Sequence, residues 1–299
     1  MRLDLKTGFA CNNRCSFCVQ GDRRVHLRHR PVTELAALLT RHAGDRDEVV
    51  FTGGECTLHP QFIALVKLAV ELGYRVQVQS NGRRFSDPAF AQACVDAGVH
   101  EYCLAVHGAR PATHDEQTRA RGSWRQTVTG IRWLVTRGHR VITNSVVTKR
   151  NLHELPALVM LLHELGVRSG QLAMVHPLGS ALEDFDEVVP SLPEAAFPVR
   201  RALATARVLG LDLVVEALPA CFLEGWEDCI AELRMPATHI EDPDHVVPDY
   251  KAARLAEGKA KGPPCETCSW DTTCEGPWRE YPEHHGWEGV KPRRDSPFD

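Results

Sequence analysis

The sequence contains eleven cysteines, and six of them fall in two short segments. The first segment, Cys11–Cys18, directly follows the first predicted strand, and the second, Cys265–Cys274, lies near the C-terminus. A chain of 299 residues is too long to be a miniprotein held together by disulfides. The total of eleven is odd, and clustered cysteines in a reducing compartment more often bind metal or take part in catalysis than form disulfides, so we expect both segments to bind metal.

The first segment has the spacing Cys11-x3-Cys15-x2-Cys18. Three thiolates on one short loop can bind three irons of a four-iron cluster, which leaves the fourth iron open to a small molecule. A zinc site would need a fourth ligand, for which His26 and His29 are the candidates. The spacing differs from the paired C-x-x-C units of zinc fingers, so the sequence favours the cluster and keeps zinc as the alternative.

The segment CNNRCSFC resembles the motif of the radical S-adenosylmethionine (SAM) enzymes, C-x3-C-x2-C with an aromatic residue before the third cysteine, here Phe17. A second motif of that family, Gly-Gly-Glu, is present as Gly53-Gly54-Glu55 after the second predicted strand. In the family this segment binds the amino group of SAM. The resemblance therefore implies a [4Fe–4S] cluster with an open iron, and SAM bound to that iron.

Polar residues at the ends of later strands resemble further SAM-binding positions of the family. An arginine after the fourth strand would reach the SAM carboxylate, and Arg119 fits that place better than its rival Arg121. For all of these residues a turn, cap or surface contact is the alternative. The remaining candidates for SAM contacts are Ser80, Asn81, His107 and Asn144.

The second segment resembles the C-terminal auxiliary-cluster region of radical SAM proteins of the SPASM or shortened twitch type. In such regions an upstream cysteine commonly completes a four-cysteine site, and Cys221 is the candidate here, with Cys229 as its rival. The resemblance thus implies a second [4Fe–4S] cluster. Structural zinc at the same positions remains the alternative. The predicted ligands are Cys221, Cys265, Cys268 and Cys274.

The elements that position these residues alternate between strand and helix, which predicts an α/β fold with a parallel sheet. The resemblance implies a partial (β/α)6 TIM-type barrel with a small Cys-rich C-terminal region, and a site at the carboxyl ends of the strands. We divide the chain into a barrel at residues 1–210 and an auxiliary region at residues 211–299. The strands are predicted at 2–8, 48–52, 75–80, 101–107, 140–148, 170–176 and 211–217, and the helices at 33–42, 61–72, 88–97, 123–137, 152–165 and 194–209.

Composition excludes several classes of protein. Hydrophobic residues make up 43% and charged residues 25% of the chain, which is ordinary for a globular protein and unlike a disordered tail, a collagen or a coiled coil. The formal net charge of −4 gives no indication of nucleic-acid binding. Neither a membrane-spanning stretch nor a secretory signal is evident, so we expect a cytoplasmic protein.

The resemblance implies an oxidoreductase or maturase-type enzyme that cleaves SAM reductively to a 5′-deoxyadenosyl radical, which then abstracts hydrogen from a substrate. We expect oxidation or cross-linking of a ribosomal peptide or protein side chain, with a small natural product such as an aminocyclitol or nucleoside as the alternative. Many peptide-modifying members of the family have a leader-binding domain before the cysteine motif, but only ten residues precede Cys11 here, which either makes a peptide substrate less favoured or requires a separate recognition protein. The expected electron donor is a flavodoxin or ferredoxin. A non-catalytic binding module held by zinc is the alternative from another class.

Overall fold

Nine β-strands form one sheet in the computed structural model, which describes residues 1–295. The strand order is β7-β6-β5-β4-β3-β2-β1-β8-β9, and all neighbours pair in parallel except β8 and β9. The strands are β1 Arg2–Lys6, β2 Glu48–Thr52, β3 Arg75–Ser80, β4 Val99–Ala105, β5 Val141–Val147, β6 Ser169–Met174, β7 Asp212–Glu216, β8 Thr238–Glu241 and β9 Val246–Val247.

Alternation of buried and partly exposed residues gives the sheet two different faces. In β1, Leu3 and Leu5 are fully buried, whereas the neighbouring Asp4 is partly exposed. The same alternation runs along the whole of β5. Since successive side chains of a strand point to opposite faces, one face packs against the helices and the other is concave and more polar.

Helices connect the parallel strands, as the alternating pattern predicts. Several of them end at a glycine with a positive φ, such as Gly73 (φ 89°) and Gly98 (φ 96°), because the left-handed conformation suits a residue without Cβ. No helix within residues 1–295 is long and apolar enough to cross a membrane. The helices are α1 Arg23–His26, α2 Val32–His42, α3 Phe62–Glu71, α4 Pro88–Asp96, α5 Pro111–Thr118, α6 Ser123–Val135, α7 Leu155–Glu164, α8 Ser180–Glu183, α9 Phe185–Val188, α10 Leu192–Leu209, α11 Tyr250–Ala253 and α12 Tyr281–His285.

Residues beyond 210 extend the sheet at both of its ends. Strand β7, for which the sequence predicted a strand but not its partner, pairs with β6, whereas β8 pairs with β1 on the other side. The sequence did not indicate β8, because His239 and Glu241 are charged or polar and lie in a segment rich in proline and acid. Both side chains are nevertheless buried, since Glu241 accepts hydrogen bonds from His239 at 3.0 Å and from His42 of α2 at 2.8 Å.

The basic segment after the first cysteines holds β8 in place. Arg30 is buried and donates a hydrogen bond to the carbonyl of Glu241 at 2.9 Å. Arg23 pairs with Asp242, which also accepts a hydrogen bond from Lys6 of β1 at 2.8 Å. Burial opposes ionisation of Asp242, but these partners outweigh it and lower the pKa of its carboxyl.

A buried arginine ties the C-terminal segments to β7. The Arg254 side chain is 1% exposed and contacts the carboxylates of Glu216 in β7, Glu232 and Glu275. Its Nε donates to Glu275 at 3.0 Å, and its guanidinium lies 4.8 Å from the centre of the Trp278 ring. One cation therefore joins three segments that are far apart in the sequence.

Candidate functional site

The loop that contains Cys11, Cys15 and Cys18 follows β1 and is held by backbone hydrogen bonds to two distant segments. Ser16 N–H donates to the carbonyl of Gln117 in α5 at 2.9 Å. The carbonyl of Cys18 accepts from Ser180 N–H at 3.0 Å at the start of α8. These contacts fix the path of the loop between α5 and α8.

The three thiols of this loop are partly buried. Burial raises the pKa of Cys11 to about 11, with a smaller contribution from the nearby Glu55, and it raises the pKa of Cys15 further. Cys11 and Cys15 therefore need an adjacent cation to ionise, which an iron centre or a metal ion would supply. The loop therefore fits a metal-bound group.

Sulfur spacing in both cysteine groups is wider than a single zinc ion requires. Among the described residues, no three thiols have all their sulfurs within 4.8 Å of one another. A tetrahedral zinc with bonds of about 2.3 Å holds its sulfurs about 3.8 Å apart, whereas a cluster spreads the thiolates over separate irons. The proposed zinc ligand His26 is exposed, and His29 packs against the ring of His59 at 5.6 Å.

Gly53 and Gly54 bring the end of β2 against the chain that leads into the cysteine loop. Gly54 N–H donates to the carbonyl of Gly8 at 2.9 Å, and Glu55 N–H donates to the carbonyl of Ala10 at 2.8 Å. A Cβ at Gly53 would lie 2.2 Å from the Gly8 oxygen. Glycine is thus required here for the close approach of two backbone segments.

The carboxylate of Glu55 is buried and accepts four hydrogen bonds. Its Oε1 accepts from the backbone and hydroxyl of Thr57 and, at 2.7 Å, from the hydroxyl of Ser80. Its Oε2 accepts from Asn81 N–H, also at 2.7 Å. Glu55 therefore orients the end of β3, and Oε2 has the remaining capacity for a further donor.

Asn81 connects the end of β3 to the cysteine loop. Its amide nitrogen lies 2.6 Å from Asn12 Oδ1 and 3.9 Å from Cys11 Sγ. Arg83, which was not among the predicted site residues, donates to Asn13 Oδ1 at 2.9 Å and also contacts the Asn12 carbonyl. The signal that could have found it is the arginine directly after Ser80-Asn81-Gly82.

His107 is buried just after β4, and its ring packs against the cysteine loop. The Phe17 ring packs against it at 4.6 Å, and its Nδ1 accepts a hydrogen bond from Val146 N–H at 3.2 Å. Burial, with a smaller effect of His114, lowers the pKa of His107 well below its usual value. The ring is therefore neutral.

Asn144 lies on the concave face of β5 with its Oδ1 buried and without a hydrogen-bond partner among the described residues. A buried unpaired amide oxygen is costly, typically about 1–3 kcal/mol, so such an atom indicates a missing donor. A bound ligand with a hydroxyl or amine would supply that donor.

Arg119 lies on the outer side of the loop. It has a left-handed backbone (φ 49°), and its half-exposed side chain pairs with Asp184 at 2.6 Å. It borders a surface cavity of about 270 Å³ that also includes Ser16. Its rival Arg121 is exposed.

The C-terminal cysteines converge on a second site. A small cavity is lined by Cys221, Cys265, Cys268 and Cys274, together with the rings of Trp270 and Trp287. Burial and the nearby Cys274 raise the pKa of Cys221 to about 12. Backbone N–H groups of Ala220 and Gly276 point at Cys274 Sγ at 3.5 and 3.4 Å, and that of Arg293 points at Cys268 Sγ at 3.3 Å.

The other cysteines lie apart from this cavity. Cys229 is buried beside Arg207 and Asp228 and does not contribute to the described lining. Cys56 and Cys94 are fully buried and Cys103 is nearly so, as expected for small hydrophobic side chains.

His176 marks where the barrel meets the C-terminal region. It follows β6 and stacks on Trp278 with ring centres 3.8 Å apart, and its Nε2 lies 3.3 Å from Glu280 Oε2. Burial lowers the pKa of His176 to about 3, with smaller effects of Lys259 and Arg254. None of these residues was predicted from the sequence to belong to a site.

Comparison with known proteins identifies the first 160 residues most clearly. A family model described as the radical SAM superfamily matches residues 5–162. The AdoMet-dependent heme synthase of Methanosarcina barkeri is 27% identical over 187 residues, which cover 60% of this chain and 52% of that protein. A probable GTP 3′,8-cyclase of Saccharolobus islandicus is 28% identical over 59% of this chain and 58% of that protein. The PqqA peptide cyclase of Rhodopseudomonas palustris is 24% identical over 69% of this chain and 47% of that protein. The chain thus spans about half the length of these relatives.

Solved structures show the same fold at low sequence identity. Streptococcus suis SuiB bound to S-adenosylmethionine has a TM-score of 0.68 at 14% identity, over 92% of this chain and 72% of SuiB. Native anSMEcpe with bound AdoMet has a TM-score of 0.70 at 13% identity, over 98% of this chain and 92% of anSMEcpe. The predicted α/β partial barrel with a Cys-rich C-terminal region is confirmed.

Proposed function

Because the chain belongs to the radical SAM superfamily, we propose that Cys11, Cys15 and Cys18 hold a [4Fe–4S] cluster whose open iron binds SAM. With both bound, one electron from the cluster would cleave SAM to a 5′-deoxyadenosyl radical that abstracts hydrogen from the substrate. The observation that carries the proposal is the cysteine loop itself, in which Cys11, Cys15 and Cys18 follow β1 and Asn81 lies 3.9 Å from Cys11 Sγ.

The residues around the loop would orient SAM and exclude water. Glu55 Oε2 is the acceptor for the SAM ammonium, and the backbone of Gly53 and Gly54 borders the same place. Asn144 Oδ1 accepts a hydrogen bond from SAM on the concave face, which would satisfy this buried atom. Phe17 packs on the buried ring of His107, and this pair would exclude water from its side of the loop.

The other polar residues predicted to contact SAM would act on it through their neighbours or only after moving. Ser80 and Asn81 orient Glu55 and the loop through their hydrogen bonds. Arg119 would have to leave its ion pair with Asp184 to reach a SAM carboxylate, and Arg121 would have to turn inward from the surface.

The second cysteine site would hold an auxiliary [4Fe–4S] cluster. Four thiols line one cavity, and three backbone N–H groups point at two of the sulfurs, an arrangement that stabilises anionic thiolates. We assign residues 211–299 to this auxiliary region, although β7 and β8 also complete the sheet of residues 1–210.

The proposed substrate is a ribosomal peptide or a protein side chain, which the enzyme would oxidise or cross-link. Support comes from the names of two similar proteins, the PqqA peptide cyclase and SuiB, which has been solved bound to its precursor peptide SuiA. A small natural product is the second candidate, because other relatives are named heme synthase and GTP 3′,8-cyclase.

The proposed location is the cytoplasm, because clustered free thiols persist in its reducing environment.

An anaerobic preparation tests the proposal. Reconstituted protein should be brown, bind SAM and release 5′-deoxyadenosine when dithionite is added. Peptides encoded next to the gene should then lose hydrogen by mass spectrometry in a SAM-dependent manner. Turnover of a nucleoside or aminocyclitol instead would favour the small-molecule alternative. Colourless protein with stoichiometric zinc would replace the enzyme with a binding module.

A further inference from the structure

Two histidines and a glutamate meet on the side of the sheet that faces away from the proposed SAM site. His239 and Glu241 of β8 are in register with Leu3 and Leu5 of β1, whose fully buried side chains lie on the helix-covered face. Paired residues of neighbouring strands share a face of the sheet, so the side chains of His239 and Glu241 point toward the helices as well. His42, the last residue of α2, completes the set. We refer to His42, His239 and Glu241 as the His/His/Glu group.

The three side chains converge on one carboxylate oxygen. Glu241 Oε1 lies 2.8 Å from His42 Nε2 and 3.0 Å from His239 Nε2, and one nitrogen or oxygen atom from each residue lies within 4.8 Å of the other two. Each imidazole is 10% exposed and the carboxylate 5%, so the group is nearly buried but reaches the surface. Arg30 holds the backbone of Glu241 by a hydrogen bond of 2.9 Å to its carbonyl, and Glu34 pairs with the Arg30 charge at 2.6 Å.

We propose that the His/His/Glu group binds a divalent transition-metal ion such as Zn²⁺, with Nε2 of both imidazoles and Oε1 of Glu241 as its ligands. Zinc binds imidazole nitrogen and carboxylate oxygen at about 2.0–2.2 Å, so tetrahedral ligand atoms lie about 3.4 Å apart. The atoms of the group would need to separate by only a few tenths of an ångström to admit the ion. Water would take the fourth position, and the ion would join α2 to β8, away from both groups of clustered cysteines.

Arg46 would compete with the ion. The guanidinium nitrogen Nη1 of Arg46 lies 2.8 Å from His42 Nδ1, and because arginine only donates, His42 Nδ1 accepts and its Nε2 carries the proton that Glu241 accepts. Metal binding at Nε2 moves that proton to Nδ1, so Arg46 would have to turn away. Its half-buried side chain lies in the turn between α2 and β2, where it can move into solvent. Both the hydrogen bond and the positive charge of Arg46 therefore weaken metal binding.

Zinc titration of reconstituted full-length protein tests the proposal. Protein freed of loosely bound metal by a chelating resin is titrated with Zn²⁺ in competition with a fluorescent zinc chelator, and X-ray absorption at the zinc edge identifies the ligand atoms. His42→Gln removes one ligand but can keep an N–H donor toward Glu241, so it separates a metal site from a purely hydrogen-bonded group. The exposed His100→Gln is the matched control. Arg46→Ala keeps all three ligands and removes the competitor.

The parent and His100→Gln should bind one zinc through nitrogen and oxygen at about 2.0–2.2 Å, and His42→Gln should bind it at least about tenfold more weakly. Equal affinity in His42→Gln and His100→Gln would overturn the proposal. So would zinc bound only to sulfur, at about 2.3 Å, because such zinc would lie at the cysteines.

Arg46→Ala decides the question if circular dichroism shows that His42→Gln does not fold. We expect Arg46→Ala to bind zinc at least about threefold more tightly than the parent, since its imidazole Nδ1 is free to take the proton. Binding no tighter than in the parent would then overturn the site. Release of 5′-deoxyadenosine with dithionite tests the proposed function separately, because none of the three ligands belongs to the SAM site.

Discussion

Glu55 Oε2 accepts a hydrogen bond from the backbone N–H of Asn81 at 2.7 Å, so the end of β2 fixes the end of β3. The Asn81 side chain in turn contacts Asn12 in the cysteine loop at 2.6 Å. The Gly-Gly-Glu motif therefore helps to position the cysteine loop, in addition to the contact with the SAM ammonium that we propose for Glu55.

Glu55→Gln should weaken SAM binding and leave the iron content near that of the parent. The amide has a single oxygen, so one of the donors from Ser80 or Asn81 loses its acceptor, and the proposed charge-assisted contact to SAM is also lost. Hydrogen bonds to a charged group contribute about 1.5–3 kcal/mol, which corresponds to a loss of affinity of roughly tenfold to a hundredfold. Isothermal titration of reconstituted protein with SAM measures this change. The exposed Glu71→Gln is the matched control, and unchanged affinity in Glu55→Gln would show that Glu55 has no part in the SAM site.

Cys15→Ala should abolish SAM cleavage, because two thiolates cannot hold a cluster with a single open iron. The control is Cys56→Ala, which removes a buried thiol directly after Glu55 but leaves the cysteine loop intact. Release of 5′-deoxyadenosine with dithionite measures the effect. A rate for Cys15→Ala close to that of Cys56→Ala would remove the loop from the mechanism.

Local patterns predicted the barrel strands and most of its helices, because alternating burial and C-terminal glycines leave clear signals in the sequence. The cysteine motifs likewise indicated the two groups of cysteines that we propose as cluster ligands. Strand β8 was missed because Glu241 becomes buried only through its hydrogen bonds with His239 and with His42, which lies about 200 residues earlier. Arg254 and Trp278 were missed for the same reason, since their partners are distant in sequence.

Arg254→Met should destabilise the protein strongly and in a pH-dependent way. Removal of one partner from a buried ionic network costs about 3–5 kcal/mol, because Glu216, Glu232 and Glu275 would be left facing one another. Burial already raises the pKa of Glu232, and loss of the guanidinium would raise the pKa values of these carboxyls further.

The sign of the pH dependence follows from those raised pKa values. A carboxyl whose pKa is higher in the folded state binds its proton more tightly when folded, so the variant should lose least stability at low pH and most as the pH rises. Thermal unfolding of parent and variant between pH 5 and pH 8 measures the difference, with the exposed Arg201→Met as control. A loss of stability that does not grow with pH would contradict the account of the network.

The second cysteine site can be tested without the first. Replacement of Cys11, Cys15 and Cys18 by alanine should leave about four of about eight irons, because only the auxiliary four-iron cluster would remain. In that background Cys221→Ala should alter the absorbance and EPR spectra of the remaining cluster, since Cys221 lines the same cavity as Cys274. Cys229→Ala is the matched control, because its thiol lies beside Arg207 and Asp228. A spectrum that changes with Cys229→Ala but not with Cys221→Ala would transfer the fourth ligand to Cys229. One zinc and no iron in the triple variant would mean that the site has a structural role only.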